Sequence, residues 1–270
     1  MDLPRLKKQY AFRLSAPSFI YPAGYVENVR QLGPHVDEIE LLLLESDPAA
    51  LPSAEVIAEL AHLADRLQIT YNVHLPIDID PAAFDRSTRF AAVERIAAVL
   101  ALAAPLNPTT CTLHLPFEGA QRHTLAVWQK RAIESLDLLM SKAEIDPRRV
   151  SVETLGYPTE WLAPILAAQP CAVCLDVGHV LNAGFDLKTV LDDLRPRISI
   201  VHLHAAAEGT DHLALDRLIP SAWAVLQPFL AEFHGSVSLE VFSAARLHAS
   251  MTCLGRHMGL VKSQIFNGTA

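Results

Sequence analysis

Charge is scarce in this chain. Asp, Glu, Lys and Arg make up 19% of its 270 residues, and 22 basic residues face 30 acidic ones, for a net charge of -8. A protein that binds by neutralising nucleic-acid phosphates needs the opposite balance, so no nucleic-acid partner is expected. With 51% hydrophobic residues, the low charge also argues against extensive disorder and leaves enough material for a large core. The longest apolar run, Phe90 to Leu106, is interrupted by Glu94 and Arg95 and is too short to cross a bilayer. No apolar stretch follows the basic residues of Met1-Asp2-Leu3-Pro4-Arg5-Leu6-Lys7-Lys8, so neither a secretory signal nor an exported protein is expected, and a cytoplasmic one is. The sequon Asn267-Gly268-Thr269 is then accidental. Cysteines are few (Cys111, Cys171, Cys174 and Cys253), which suits a reduced compartment. Cys171 and Cys174 match C-x-x-C, but no second such pair exists. Side chains three apart on a strand point to opposite faces, so packing in the core is expected. A Gly-rich phosphate loop, a Rossmann fingerprint and a serine nucleophile elbow are all missing.

The chain does contain a series of apolar runs that end in chemistry. Ile69 to Leu75 stops at His74 and is closed by Pro76, and the pattern returns as Thr112-Leu113-His114-Leu115-Pro116. Later runs end in Glu153, in Asp176 with His179, in His202 with His204, and in Glu240. Strands are predicted at Tyr10–Ser15, Asp37–Leu44, Ile69–His74, Thr109–His114, Val150–Thr154, Ala172–Asp176, Ile198–His204 and Ser236–Val241. Helices are predicted between them: Tyr25–Leu32, one opened by Pro52-Ser53, a long one within Pro81–Leu106, then Ala126–Met140, Trp161–Ala168 and Leu187–Leu194. Leu215–Phe233, broken near Pro220, and Ala244 to about Val261 complete the set. Eight strand–helix units at this length predict one domain over residues 1–270, a closed (β/α)8 TIM barrel. Counting back by twos from the proposed ligands puts Asn72, Thr112, Ser151, Cys174 and Ser238 inside the barrel. Val73, Leu113, Val152, Leu175, Val201 and Leu239 then face the helices.

Imidazoles and carboxylates recurring at equivalent strand ends are what a barrel needs to hold divalent metals such as Zn²⁺ or Mn²⁺ at its mouth. Glu45, at the end of the second strand, is a candidate substrate contact. His35, His62, His123, His234, His248 and His257 fall on helices or linkers and are expected to pack or face solvent, and Trp128, Trp161 and Trp223 are expected to pack.

The order His74, His114, Glu153, Asp176-Val177-Gly178-His179, His202, Asp211-His212, Glu240 resembles the xylose-isomerase-like barrels, the superfamily that includes the endonuclease IV type of apurinic endonuclease. The resemblance implies one metal held by Glu153, Asp176, His202 and Glu240, as in the sugar isomerases and epimerases. In the phosphodiester-cleaving branch it implies two more: one on His74, His114 and a bridging Glu153, the other on His179, His212 and an acid. That branch places the acid two residues before the loop histidine. Here Thr210 stands at that position, and Asp211 is adjacent to His212 instead. His204, two residues after His202, could substitute as a ligand or contact substrate.

Ser18-Phe19-Ile20-Tyr21-Pro22, Val36-Asp37-Glu38-Ile39-Glu40-Leu41 leading to Glu45-Ser46, and Tyr71-Asn72-Val73-His74-Leu75-Pro76 are similar to the cobamide-remodelling phosphodiesterases of the CbiR type. That resemblance implies a corrinoid substrate cleaved at its nucleotide-loop phosphodiester, with Glu153 or Glu240 orienting the attacking water. The alternatives are a single-metal sugar isomerase or epimerase and an apurinic-endonuclease-like enzyme. A non-catalytic corrinoid-binding protein is a further reading.

Overall fold

The computed structural model describes residues 2–117, 125–207 and 209–259. Eight parallel strands close into a barrel, as the alternating pattern predicts. In chain order they are β1 (Arg13–Pro17), β2 (Glu38–Leu42), β3 (Thr70–His74), β4 (Cys111–Leu113), β5 (Val150–Glu153), β6 (Ala172–Asp176) and β7 (Ile198–His202). Two short strands outside the barrel follow, β8 (Ala205–Ala207) and β9 (Thr210–Leu213), and β10 (Ser236–Ser238) is the eighth stave. Each barrel strand pairs with the next, and β10 closes on β1 with Ser238 beside Ser15.

Between the strands run α1 (Tyr25–Leu32), α2 (Ala54–Leu67), α3 (Arg86–Ala103), α4 (Leu125–Ala143), α5 (Ala163–Ala168), α6 (Val177–Asn182), α7 (Leu187–Leu194), α8 (Pro220–Glu232) and α9 (Ala244–His257). Their starts follow local chemistry. Ser53, Asp85, Asp186 and Ser243 each accept a hydrogen bond from the backbone N–H three residues on, so that one unpaired helix-start donor is satisfied. The helices lay their apolar sides on the outward residues of the strands. Val73, Leu113, Val152, Leu175, Val201 and Leu239 are all buried in one continuous core with Ile57, Leu60, Ile96 and Leu226. Among the described residues no helix is long and apolar enough to cross a membrane.

Several boundaries differ from the sequence expectation. The first strand begins at Arg13, not Tyr10. The Tyr10 and Phe12 rings stack at 4.7 Å, and the chain before them turns through Lys8, whose φ is +59°. The seventh strand ends at His202. Beyond it β8 and β9 form an antiparallel hairpin, with Gly209 at its turn supplying a φ of +76°. Asp176, expected only as a ligand, also caps the unpredicted helix α6. The predicted end of the last helix at Val261, His123 and the sequon at Asn267 lie outside the described residues. Cys171 and Cys174 are both buried free thiols, consistent with packing. Burial pushes the Cys171 thiol up to about 12, too high for a reactive thiolate. Trp128 and Trp223 are buried as expected, Trp128 in an aromatic cluster with Phe117 and Tyr157 and Trp223 stacked on His257 at 3.9 Å.

Candidate metal centre

The carboxyl ends of the strands bring the charged residues to one place. Glu153 ends β5 and is buried at the centre of the group. Its Oε2 lies 3.2 Å from His74 Nε2 and 2.7 Å from His114 Nε2. Its Oε1 lies 3.3 Å from His202 Nδ1 and 3.5 Å from His179 Nδ1. His202, at the end of β7, is fully buried, with Glu240 Oε2 at 3.2 Å and Asp176 Oδ2 at 3.8 Å from its Nδ1. Ligand atoms of Glu153, Asp176, His202 and Glu240 all lie within 4.8 Å of one another. The same holds for His74, Glu153 and His202, and for His179, Asp211 and His212.

Local structure sets each imidazole. Asp176 Oδ1 accepts the His179 N–H at 2.6 Å and so starts α6, which presents His179 on its first turn. His74 Nδ1–H donates to Leu75 O at 2.9 Å, His179 Nδ1–H to Thr154 O at 3.2 Å, and His212 Nδ1–H to Glu240 O at 3.1 Å. For His74 and His179 this turns the other ring nitrogen toward an acid of the cluster, Glu153 Oε2 at 3.2 Å and Asp211 Oδ2 at 3.6 Å, the arrangement that orients a metal-binding histidine. His212 has a φ of +52°, a sparsely populated conformation that costs on the order of 1 kcal/mol and is typical of functional positions. The hairpin carries that strain and places Asp211 Oδ2 3.6 Å from His179 Nε2.

The two residues expected as substrate contacts differ in setting. His204 is fully buried: its Nε2–H donates to Asp176 Oδ2 at 3.1 Å, and its Nδ1 lies 3.1 Å from Asp211 Oδ1. It braces two acids, and a ring nitrogen also lies within 4.8 Å of ligand atoms of His212 and Glu240, the position of a substitute ligand. Glu45 is exposed in the loop beyond β2, and its charge acts on Tyr25. Conversely, the sequence reading did not single out Glu40. It is buried in mid-β2 and holds His202 Nε2 at 2.8 Å. Its signal was the alternation Glu38-Ile39-Glu40, which puts both acids inside the barrel.

Gly178 makes room for His204. A Cβ there would meet three ring atoms of His204 at 2.0, 2.3 and 2.7 Å. Both groups are buried, so Gly178→Ala is expected to destabilise by about 1–3 kcal/mol, as overpacking does. Denaturant unfolding checks this, and an unchanged midpoint would exclude the packing account.

The electrostatics ask for a cation. Burial opposes the His74 imidazolium, but the hydrogen bond and charge of Glu153 outweigh it and raise its pKa to about 9, from an ordinary 6.5. Burial likewise opposes charge on His204, and Asp176 and Asp211 lift its pKa to about 11. Burial raises the carboxyl pKa values of Glu153 and Glu240, yet His114 and His202 pull Glu153, and chiefly His202 pulls Glu240, well below the usual range. His114 Nε2 and Glu240 Oε2 are buried without a properly directed hydrogen bond, although His114 Nε2 lies 2.7 Å from Glu153 Oε2 and Glu240 Oε2 lies 3.2 Å from His202 Nδ1. Imidazole nitrogens that can give up a proton and carboxylate oxygens, gathered within a few ångströms of one another, fit divalent metal ions.

A pH dependence follows. Without metal, the stability contributed by the His74 pair is full below pH 6.5 and is lost as pH rises through about 9. A metal can use only the deprotonated ring, so binding should release protons, and affinity should rise with pH across this window. Calorimetry in buffers of different ionisation enthalpy measures the release. Zinc affinity that stays flat between pH 6.5 and 9 would contradict the arrangement.

Beside the cluster, a cleft of about 420 Å³ is lined by His114, Leu155, Gly156, His179, Asn182 and Ala183. Phe19, Ile77 and Phe242, in the loops after β1, β3 and β10, are large apolar side chains left exposed on this face. The Phe242 ring lies 4.7 Å from that of His212.

Known proteins share this frame. A D-tagatose 3-epimerase-like protein superposes with a TM-score of 0.77 at 19% identity, over 93% of this chain and 98% of its own. Endonuclease IV from Thermus thermophilus does so with a TM-score of 0.67 at 20% identity, over 90% and 99%. The 3-keto-D-glucoside 4-epimerase from E. coli gives a TM-score of 0.67 at 14% identity, over 92% and 99%. Identities this low establish a common fold and nothing finer. No curated protein matches the chain in sequence. A family model described as the xylose isomerase-like TIM barrel matches residues 26–252, nearly the whole closed barrel with its ring of strand-end acids and histidines, and the chain belongs to that family.

Proposed function

We propose that this protein is a metal-dependent phosphodiesterase, with two or three divalent ions (Zn²⁺ or Mn²⁺) at its mouth, that hydrolyses the nucleotide-loop phosphodiester of a cobamide. One observation carries the reaction class: acids and imidazoles gather in more sets than one metal can use. Glu153, Asp176, His202 and Glu240 would hold one ion, His74 and His114 with Glu153 a second, and His179, Asp211 and His212 a third. Bound there, such ions lower the pKa of water and neutralise charge on the phosphoryl and leaving oxygens, which an unactivated phosphodiester needs.

The chain's own groups divide the remaining work. Glu153, engaged by several imidazoles, is committed to holding the centre together. Glu240, whose Oε2 lacks a directed hydrogen bond, is the carboxylate that orients the attacking water. Water adds to phosphorus, the ester P–O bond breaks, and a phosphomonoester and an alcohol leave.

The corrinoid substrate rests on the similarity of Ser18–Pro22, Val36–Ser46 and Tyr71–Pro76 to the CbiR-type enzymes. The exposed Phe19, Ile77 and Phe242 support it, since a macrocycle with apolar edges can rest on them while its phosphate reaches the charged floor. Metal-loaded protein incubated with a cobamide should release the lower ligand, as its nucleoside or its nucleotide, on chromatography. An intact cobamide, with metals demonstrably bound, would reject the substrate.

A second reading is a single-metal sugar epimerase, favoured by the four-residue set taken alone and by the epimerases among the structural neighbours. It leaves the other imidazoles without a task. Elemental analysis separates the two: one ion per chain supports the epimerase, and two or three support the phosphodiesterase.

A further inference from the structure

A carboxylate buried in mid-strand is costly unless it is paired. β2 carries two, Glu38 and Glu40, and they are satisfied differently. Glu38 accepts from Thr70, from Asn72 at 2.8 Å and from Thr109, and has Arg13 at 3.4 Å, a closed network of barrel side chains. Glu40 Oε2 accepts from Ser238 Oγ at 2.6 Å, and its Oε1 faces His202 Nε2 at 2.8 Å. Its backbone is fixed too, because Glu40 O accepts from Ser18 N at 2.9 Å.

We propose that Glu40 is a positioning residue for the metal centre, holding the Nε2–H of His202 so that the Nδ1 lone pair points at Glu153, Asp176 and Glu240. This rests on the metal-dependent reading above. An ionised carboxylate only accepts hydrogen bonds, so the ring nitrogen bonded to it must carry the hydrogen. When a metal ion takes the place of the proton on the other nitrogen, the imidazole keeps only this one, and Nδ1 is then bare toward the acids. Its neighbours are Glu240 Oε2 at 3.2 Å, Glu153 Oε1 at 3.3 Å and Asp176 Oδ2 at 3.8 Å. A lone pair and three acid oxygens around one point repel one another until a proton or a metal ion sits between them. His74, His179 and His212 are oriented by neutral backbone carbonyls, whereas His202 is oriented by a charged acceptor. The carboxylate both fixes the ring and makes Nδ1 more basic. His202 is thus marked as a ligand through Nδ1, with Nε2 facing the barrel interior.

The test uses the full-length protein with ¹⁵N-labelled histidine, loaded with ¹¹³Cd²⁺. Nitrogen NMR should show a proton on Nε2 of His202 and cadmium coupling at its Nδ1. Glu40→Gln should weaken Zn²⁺ binding by about 10- to 100-fold in calorimetry, with Glu40→Asp recovering part of it. Cadmium on Nε2, or on neither nitrogen, overturns the inference while leaving metal dependence standing. Glu40→Gln binding Zn²⁺ as tightly as the native protein does the same. If Glu40→Gln does not fold, the labelled native protein decides alone. A native protein that binds neither Zn²⁺ nor Cd²⁺ removes the metal-dependent reading and this inference with it.

Discussion

Glu153→Gln is expected to cut turnover by on the order of 10³-fold while leaving the barrel folded. The substitution keeps the shape of the side chain and removes its charge. In the native protein one oxygen faces His74 and His114 and the other faces His202 and His179. Glutamine offers one acceptor and one donor there, so it can serve one side of the cluster and must oppose the other. A shared anion lost at the meeting point of two sets weakens both, and bound metal per chain should fall together with the rate. Cobamide turnover, circular dichroism and elemental analysis on one preparation check the three statements. A folded variant that keeps native activity would remove Glu153 from the reaction.

Stripping the metals should cost more stability than ordinary surface changes do. A ligand held at about 1,000 times its Kd stabilises by roughly 4.1 kcal/mol. In a chain of this size each kcal/mol is worth about 2–4 °C in Tm. Chelation is therefore expected to lower the melting temperature by on the order of 10 °C, reversed by adding Zn²⁺ or Mn²⁺. The physical source is the crowding of Glu40, Glu153, Asp176 and Glu240 around the single imidazole of His202, all of them buried. Protonated histidines compensate in part, as the raised pKa of His74 shows. Identical melting curves with and without chelator would mean that the acids need no cation.

Much of this was legible because barrel chemistry sits at strand ends, and strand ends can be read locally. His74, His114, Glu153, Asp176, His202 and Glu240 each follow an apolar run, and closure of the sheet does the rest. What escaped depends on closure itself. Glu40 and His202 are 162 positions apart and meet only because β2 and β7 face each other across the interior. The hairpin escaped for another reason. Ala205-Ala206-Ala207 carries no periodicity, so nothing marked it as a strand. Asp211 looked misplaced by one residue against the family pattern, yet the turn into the positive-φ His212 still brings it to His179. His204 was placed on a strand drawn too long. It lies past the end of β7, and the chain there turns its ring inward toward the acids.

The hairpin β8–β9 has a consequence for how such enzymes diverge. Asp211 and His212 ride on an arm that contributes no stave to the closed wall, while the four-residue set is anchored by the staves and the segments directly after them. An arm can be shortened, swapped or lost without unpicking the cylinder. A change at Asp211 or His212 would therefore leave the cylinder and the three acids and one imidazole it carries in place.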